Sequence, residues 1–412
     1  MNDRLRRDAE DIARSAINAV LPDEAVKRAL SNVTLSGRVY LVSIGKAGWQ
    51  MADAAVKLLD RPIEKGIVVT KYDHAMGSIE GVECYEAGHP VPDENSFKAA
   101  QAVLDMTSSL SSEDTVLFLI SGGGSALFEK ALVDLRELQD ITGQLLSKGA
   151  DIVEINTIRK RLSAVKGGRF AKWCSPARVE AVILSDILGD PMDMIASGPA
   201  AADPSTCEDA LAISKKYDLK LSLSAKDLLC RETPKELDNV HSQVIGSVRE
   251  LCTAAERKAS ELGYKTVYLT DLLDCEAKDA GRFMGSILKS HCKGNDNLAF
   301  IAGGETVVHL TGKGLGGRNQ ELALAAAKTI KGLRAALISV GSDGTDGPTD
   351  AAGGYVDGGS FDELEKKGLD IEEVLKDNDA YHALKVIDGL IMTGPTGTNV
   401  NDLIVGLCRE II

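Results

Sequence analysis

The chain has 412 residues, and its formal net charge is −14 because 61 Asp and Glu outnumber 47 Lys and Arg. This length suits roughly two or three domains with their own cores, and 44% hydrophobic against 26% charged residues is ordinary for a globular protein. The acidic excess argues against a nucleic-acid or membrane-surface partner, since both select clustered positive charge. A small anionic ligand stays open, because a pocket needs only a few local cations.

The first half of the chain alternates between strand and helix patterns. An amphipathic helix is predicted at residues 5–30. The alternation that follows predicts parallel strands joined by crossover helices, with both faces of the sheet covered. The predicted strands are residues 39–44, 66–70, 82–86, 115–120 and 179–184, and the predicted helices are residues 51–59, 94–106, 135–147 and 152–164.

A polar stretch at residues 230–243 is the candidate linker, and the alternation restarts beyond it. Two α/β domains are therefore expected, with ligand chemistry at the carboxyl ends of strands and between the domains. The predicted strands of the second half are residues 266–270, 298–302, 306–310, 335–340 and 402–408, and the predicted helices are residues 244–262, 277–292 and 319–330.

Many of the 40 glycines cluster at the ends of predicted strands. The first cluster, Gly122, Gly123 and Gly124 followed by Ser125, comes directly after an apolar strand. A glycine-rich turn from strand to helix exposes backbone N–H groups, which suits phosphate or carboxylate oxygens. A plain tight turn is the alternative, although it rarely needs three consecutive glycines. The loop is not a Walker A motif, because the spacing G-x-x-x-x-G-K-[ST] does not occur in the chain. It is not a G-x-G-x-x-G fingerprint either, because Leu127 occupies the third glycine position.

Two cations stand next to glycines at predicted turns. Lys46 lies in the first strand-to-helix turn, where it is either a phosphate cation or a solvated lysine. Arg318 and Asn319 follow a cluster of glycines and open a predicted helix, so the guanidinium and the helix dipole could converge on one anion. An exposed arginine in a linker is the alternative interpretation.

Two further loops carry aspartates at strand ends. Asp186 and Asp190 follow the predicted strand 179–184, and Asp343 and Asp346 follow the strand 335–340. Loop carboxylates can ligate Mg²⁺ or accept a hydroxyl proton, although Gly/Asp/Pro turns also form for structural reasons alone.

Other chemistries have little support in the sequence. None of the six histidines falls in a G-x-S-x-G or H-E-x-x-H setting, and His89 is more simply a loop histidine with a structural hydrogen bond than a ligand contact. The eight cysteines include no C-x-x-C pair, which disfavours structural zinc. No signal-peptide pattern and no long apolar span is visible, so a cytoplasmic protein with reduced thiols is expected.

Glycine loops, isolated cations and loop aspartates are together the parts expected for phosphoryl transfer. The residues that carry them closely resemble the glycerate 2-kinases, also called class II glycerate kinases, which end in a MOFRL domain. The matching strings run in family order over nearly the whole chain: SIGKAGWQMA, EAGHPVPDENS, LFLISGGGSAL, NTIRKRLSAVKGGRFA, LSDILGDPMDMIASGP, AGGETVV, GKGLGGRNQELALA, GSDGTDGPTDAAGG and TGPTGTNVNDL.

The resemblance implies ATP-dependent phosphorylation of D-glycerate at its 2-hydroxyl, with Mg²⁺ or another divalent cation. It implies a Rossmann-like α/β domain over residues 1–235, which is built on a parallel sheet with flanking helices. It also implies a smaller α/β MOFRL domain over 236–412, with the active site in the cleft between the two domains. No nucleic-acid or membrane partner is expected, and the chain is predicted to be a monomer or homodimer.

The resemblance also assigns roles to residues of this chain. Lys46 and Arg318 are expected to be active-site cations for the glycerate carboxylate and the transferring phosphoryl group. We predict further roles from positions at strand ends. Asp186 and Asp190 are candidates for general base or metal ligand, and Asp343 is a candidate metal ligand. The predicted cofactor-binding residues are Gly122, Gly123, Gly124, Ser125, Asn319, Asp343 and Asp346.

Three alternative functions stay open. A hydroxypyruvate reductase would need a dinucleotide fingerprint with an acidic residue about 20 positions on, and none is visible. A glycerate 3-kinase would differ only in the hydroxyl that is phosphorylated. A non-catalytic sugar-acid binding protein would show no turnover.

Overall fold

A computed structural model describes residues 3–292, 294 and 296–409. It divides into two compact units: residues 25–245, here called the central unit, and residues 1–24 with 246–412, here called the terminal unit. The sequence interpretation placed all of residues 1–235 in one domain. The structure instead groups the opening helix with the C-terminal part of the chain, because that helix packs its apolar face there.

The sheet of the central unit has the strand order β3-β2-β1-β4-β5-β6. The pairs β1/β2, β2/β3, β1/β4 and β4/β5 are parallel. Every residue of the central strands β1 and β4 is buried, as expected for strands with covered faces that read as continuous apolar runs. The strands are β1 (Val39–Ile44), β2 (Lys65–Lys71), β3 (Val82–Ala87), β4 (Thr115–Ile120), β5 (Arg178–Leu184) and β6 (Val240–Gly246).

The sheet of the terminal unit is mixed, with the order β11-β10-β9-β12-β8-β7. The last strand, β12, lies between β8 and β9 and is antiparallel to both, while β7 and β8 are parallel. The strands are β7 (Lys265–Leu273), β8 (Leu298–Gly304), β9 (Ala335–Gly341), β10 (Gly353–Asp357), β11 (Leu390–Ile391) and β12 (Asp402–Cys408).

Helices surround both sheets, and seven of them begin at a side-chain cap. Asp93, Asp151 and Thr206, for example, each close a capping box at the start of a helix. The helices are α1 (Asp3–Ala19), α2 (Pro22–Leu30), α3 (Gly48–Leu58), α4 (Glu94–Met106), α5 (Gly124–Leu127), α6 (Leu135–Ser147), α7 (Ile152–Leu162), α8 (Arg169–Trp173), α9 (Cys207–Lys216), α10 (Leu223–Leu229), α11 (Val248–Glu261), α12 (Ala277–His291), α13 (Arg318–Ala327), α14 (Ser360–Lys366), α15 (Ile371–Lys376) and α16 (Ala380–Val386).

Each unit has its own apolar core. In the central unit, Phe118 of β4, Phe128 and Phe170 form an edge-to-face cluster with ring centroids 4.8–6.1 Å apart. In the terminal unit, the alanine-rich helix α13 packs closely on α12. A Cβ at Gly281 of α12 would lie 2.1 Å from the Leu322 carbonyl oxygen, so glycine is required for that approach.

Four expectations change. The predicted helix 5–30 is two helices, α1 and α2, because the chain turns at residues 20–21 before Pro22. The predicted strand 306–310 is wrong: among the described residues, Val307 forms an isolated bridge with Glu276, and the rest of the segment pairs with no strand. The predicted helix 244–262 begins later, since residues up to Gly246 belong to β6. Cys292 and Cys408 form a disulfide with Cα atoms 5.3 Å apart, so the expectation of reduced thiols fails for this pair. In the part of the chain that the structure describes, no helix is long and apolar enough to cross a membrane.

Candidate active site

The first group of predicted residues meets at one edge of the central sheet. Ile44, Ile120 and Ile183 are in register on β1, β4 and β5, so the loops that follow these strands emerge side by side. These loops carry Lys46, the segment 121–125 and Asp186 respectively. The Lys46 N–H donates to the Gly122 carbonyl at 2.8 Å, which ties the first two loops together. The parallel fold therefore assembles the predicted residues as the strand order requires.

Gly122 allows the Asp186 carboxylate to pack directly on the glycine loop. A Cβ at position 122 would lie 1.9 Å from Asp186 Oδ2 and 2.6 Å from its Cγ. Any side chain larger than hydrogen would displace the carboxylate. Gly122 thus permits the close approach of the Asp186 carboxylate, whereas the sequence predicted anion binding by the loop, with a plain tight turn as the alternative.

Gly123 makes room for Lys46 and His89. This glycine has φ +86°, and a Cβ here would lie 3.1 Å from both Lys46 Cγ and His89 Cδ2. Burial, and then the nearby charges of Lys46 and Lys71, lower the pKa of His89, so this histidine is neutral at pH 7. Within residues 3–292, 294 and 296–409, no hydrogen bond or ion pair engages the Lys46 ammonium. The edge of the sheet therefore presents an uncommitted cation.

Buried cations anchor Ser125 at the end of the glycine loop. The Ser125 carbonyl accepts from Arg159 Nη2 at 2.9 Å and from Lys166 Nζ at 2.7 Å. Both cations face the fully buried Glu129 carboxylate, at 3.7 and 3.3 Å respectively. Burial lowers the pKa of Lys166 to about 8, although the Glu129 charge opposes this shift. The two hydrogen bonds to the Ser125 carbonyl therefore tie the end of the glycine loop to this charge cluster.

The segment that follows Asp186 is strained. Asp190, Ala196 and Ser197 have φ values of 54°, 51° and 60°, which non-glycine residues rarely adopt. Each such residue costs on the order of 1–3 kcal/mol and is found where the surroundings over-determine it, often at functional sites. The Asp190 Oδ1 atom is buried and has no hydrogen-bond partner in the described part of the chain.

A second group of predicted residues lies in the terminal unit, around the start of α13. Arg318 donates from Nε and Nη2 to the two carboxylate oxygens of Asp402, at 2.6 and 3.0 Å, and its Nη1 lies 3.4 Å from Glu305. Burial alone would lower the pKa of Arg318, but the hydrogen bond and charge of Asp402 outweigh it and the pKa is raised. The bidentate pair therefore fixes the plane of a permanently charged guanidinium.

Asp346 and Asn319 are engaged in the interior of the terminal unit. Asp346 Oδ1 and Oδ2 accept from the backbone N–H groups of Asn319 and Gln320, at 3.1 and 2.9 Å, so Asp346 caps α13. The Asn319 side chain accepts from Ser339 Oγ at 2.6 Å and is buried. Burial raises the pKa of Asp346 to about 6, against these N–H bonds. Asp343 is more accessible: its carboxylate accepts from the Thr345 N–H at 2.9 Å, and its backbone carbonyl accepts from the Thr396 N–H at 3.2 Å.

The structure also identifies residues that the sequence interpretation did not select. The sequence favours a structural role for His89, and Arg159 and Lys166 are not among the predicted site residues. Their burial beside the glycine loop was not predictable from spacing. Asp402 and Glu129 were not considered, although Asp402 closes the quoted TGPTGTNVNDL motif.

No group of three or more His, Cys, Asp or Glu side chains able to hold a metal ion occurs among the described residues. A metal cage built from protein ligands alone is therefore not formed there. Mg²⁺ usually takes only one or two carboxylates and completes its shell with phosphate oxygens and water. In the central unit, Asp186 is partly exposed and Asp190 has an oxygen without a hydrogen-bond partner in the described residues; in the terminal unit, Asp343 is partly exposed.

Fold and site together define an α/β protein with glycine loops, a lysine whose ammonium has no partner in the described part of the chain, and aspartates at the carboxyl edge of a parallel sheet. Residues 8–230 match a family model described as a domain of unknown function, DUF4147, and residues 298–402 match the MOFRL family. A D-glycerate 2-kinase of Thermotoga maritima is 53% identical over 98% of this chain and 98% of its own. The chain therefore belongs to the family of glycerate 2-kinases that contain a MOFRL domain.

Two further comparisons bear on fold and activity. The crystal structure of a glycerate kinase from Thermotoga maritima has a TM-score of 0.95 and 52% identity, and the match covers 98% of this chain and 100% of that one. A relative from Agrobacterium vitis, 40% identical over 89% of this chain and 86% of its own, carries a provisional hydroxypyruvate reductase name.

Proposed function

We propose that this protein transfers the γ-phosphoryl group of ATP to the 2-hydroxyl of D-glycerate, giving 2-phosphoglycerate and ADP. Family membership supports the kinase activity. The observation that carries it to this chain is the Lys46 ammonium, which has no partner in the described residues and lies beside a glycine loop and a strand-end aspartate. A lysine without a protein carboxylate is available to an anionic substrate.

In this proposal, Asp186 accepts the proton of the 2-hydroxyl as its oxygen bonds to the γ-phosphorus and the bond to the leaving ADP oxygen breaks. Lys46 and Arg318 bind the glycerate carboxylate and the transferring phosphoryl group. Because charge spreads over the phosphoryl oxygens in the transition state, fixed cations accelerate the step mainly through positioning and electrostatics. The two hydrogen bonds to the Asp402 carboxylate hold the Arg318 guanidinium in one orientation for that role.

The glycine loop and the aspartates complete the proposal. Backbone N–H groups of Gly122 to Ser125 donate to substrate or phosphate oxygens. Asp190 and Asp343 are the proposed Mg²⁺ ligands, with Asp186 kept as the base, and a divalent cation would neutralise charge on the β- and γ-phosphates when bound. Asp346 and Asn319 were predicted to contact the nucleotide. Their burial and their bonds around α13 favour a supporting role instead.

The reductase alternative has less support. A dinucleotide fingerprint needs a third glycine where this chain has Leu127, and the loop in question opens only the single turn α5. Release of ADP that depends on glycerate supports the kinase. Oxidation of NAD(P)H by hydroxypyruvate without ATP would overturn it.

The test combines product analysis with a matched pair of lysine variants. Phosphorus NMR of the product separates 2-phosphoglycerate from 3-phosphoglycerate. Lys46→Ala is expected to lower kcat/KM by at least about a hundredfold, or roughly 2.7 kcal/mol of transition-state stabilisation. Lys65→Ala is the control, since Lys65 is exposed at the opposite end of a strand in the same sheet. A loss of less than tenfold for Lys46→Ala would remove this lysine from the proposed site.

A further inference from the structure

We propose that Ser125 determines substrate specificity by accepting a hydrogen bond from the non-reacting 3-hydroxyl of glycerate, and that Ser197 and Asn156 set the direction of its hydroxyl. This inference rests on the proposed function and adds the recognition of the second hydroxyl. Ser125 is partly exposed at the glycine loop, whereas Ser197 and Asn156 are buried behind it.

The orientation of the Asn156 amide follows from its neighbours. Asn156 Nδ2 lies 3.8 Å from Met194 Sδ, and a thioether sulfur can only accept a hydrogen bond. The amide nitrogen therefore faces the sulfur, and Oδ1 faces Ser197. Ser197 Oγ lies 2.8 Å from Asn156 Oδ1, so Ser197 donates its single hydroxyl hydrogen to the amide oxygen.

The direction of the Ser125 hydroxyl follows in turn. Ser125 Oγ lies 2.9 Å from Ser197 Oγ, and one of the two must donate. Because the Ser197 hydrogen is committed to Asn156, Ser125 donates to Ser197. Ser125 then has no hydrogen left for a ligand and offers only lone pairs. A ligand group at this position must be a donor, which favours a hydroxyl and disfavours a carboxylate or phosphate oxygen.

The serine is held in place on both sides. Its carbonyl accepts from Arg159 and Lys166, at 2.9 and 2.7 Å. The residue before it, Gly124, packs closely against Ala196, whose Cβ would lie 2.7 Å from a Cβ added at position 124. An acceptor fixed in this way requires little reorganisation when a substrate binds.

The chemistry of glycerate selects the 3-hydroxyl as the donor. Glycerate has one carboxylate, the reacting 2-hydroxyl and the 3-hydroxyl. The reacting hydroxyl must give its proton to a base, and a serine hydroxyl that already donates to Ser197 is not one at neutral pH. The 3-hydroxyl keeps its hydrogen throughout the reaction and can donate it to Ser125 Oγ. A site built to bind a substrate hydroxyl rejects the analogue that lacks it, because the polar group that the bound analogue covers is left unpaired.

D-Lactate is the discriminating probe, since it keeps the carboxylate and the 2-hydroxyl but has no 3-hydroxyl. The ratio of kcat/KM for D-glycerate to that for D-lactate is measured in the full-length protein. Competitive inhibition by D-lactate replaces turnover where turnover is too slow. The wild-type ratio is expected to be about a hundredfold or more. Ser125→Ala should bring the ratio below about tenfold, mainly through a loss with D-glycerate, while Ser125→Thr, which keeps the hydroxyl, should largely preserve it.

The positioning residues are tested by the same ratio. Ser197→Ala and Asn156→Leu each remove the hydrogen bonds that make Ser125 an acceptor, so each should lower the ratio. The unfolding midpoint of each variant is measured as a check on folding. Ser147→Ala, at an exposed serine at the end of α6, is the control and should leave the ratio unchanged.

Each outcome decides one of two questions. If Ser125→Ala lowers kcat/KM equally for both substrates, or leaves both unchanged, the ratio does not move and the inference is overturned while the kinase function stands. If the wild-type protein releases no ADP with D-glycerate, the proposed function itself fails. A collapse of the ratio in Ser125→Ala with its preservation in Ser125→Thr supports the inference.

Discussion

Replacing Gly122 with alanine should lower the activity strongly while it leaves the free energy of unfolding almost unchanged. Gly122 is not among the glycines with positive φ, so its backbone accepts a side chain. The added Cβ would lie 1.9 Å from Asp186 Oδ2 and 3.1 Å from Oδ1. Since the atoms it meets are the far end of one side chain, the Asp186 carboxylate can rotate away while the backbone stays in place.

The size of each effect can be worked out from this geometry. Moving a rotamer of a partly exposed carboxylate costs about 1 kcal/mol, and Gly→Ala regains roughly 0.4–1 kcal/mol by restricting the unfolded chain. The free energy of unfolding should therefore change by less than about 1 kcal/mol. Displacing a reacting group by about 1 Å costs roughly a hundredfold, so kcat/KM should fall by about that factor, or approximately 2.7 kcal/mol.

Urea denaturation and the ADP-release assay measure the two quantities on the same preparations. Gly143→Ala is the control, since Gly143 lies within α6 and an added Cβ meets nothing within 4 Å. It should gain about 0.5–1 kcal/mol of stability and keep full activity. Gly123→Ala should instead lose both, because φ is +86° there and the Cβ meets Lys46 and His89. A Gly122→Ala protein with kcat/KM within threefold of wild type would refute the role given to Asp186.

Two more predictions concern the terminal unit. Asp402→Asn removes the charged acceptor of Arg318, so it should lower the free energy of unfolding by about 2 kcal/mol and kcat/KM by at least about tenfold. The control, Asp296→Asn, breaks the exposed pair with Lys265 and should lower the free energy of unfolding by under about 0.5 kcal/mol. Equal losses of stability in the two variants would contradict the reasoning. Burial raises the pKa of Asp346 to about 6, so the folded state binds this proton more tightly than the unfolded chain. Relative to Asp346→Asn, the wild-type free energy of unfolding should therefore fall by up to roughly 3 kcal/mol as pH rises from 4 to 7, and a rise over that range would show that the N–H bonds dominate.

Much of the central sheet could be predicted because its signals are local. The predicted strands 39–44 and 115–120 coincide with β1 and β4, since strands buried on both faces read as continuous apolar runs. The glycine loops were found for a similar reason, because a turn after an apolar run is visible in a few residues. The prediction weakened in the terminal unit. The short strand β10 (Gly353–Asp357) opens with two glycines and was missed, and the antiparallel pairing of β12 was not foreseen.

The candidate site was predicted only as a set of positions. Lys46, the glycine loop and Asp186 were expected at strand ends, and the structure brings them together. The division of labour among the aspartates was not visible, because it depends on burial and on partners far along the chain. Asp346 caps a helix that begins 28 residues earlier at Arg318, and nothing near Asp346 in the sequence signals that contact.

The sequence by itself determined the α/β class, the positions of the loops that carry chemistry, and the family. These features are written in short-range patterns of hydrophobicity, turn residues and motif strings. Only the tertiary structure decided that Asp186 packs on Gly122, that Asp402 orients Arg318, and that Ser125 presents an acceptor. The physical reason is that hydrogen-bond direction, close approach and desolvation arise between segments distant in the chain, and they exist only once strand order and packing have brought those segments together.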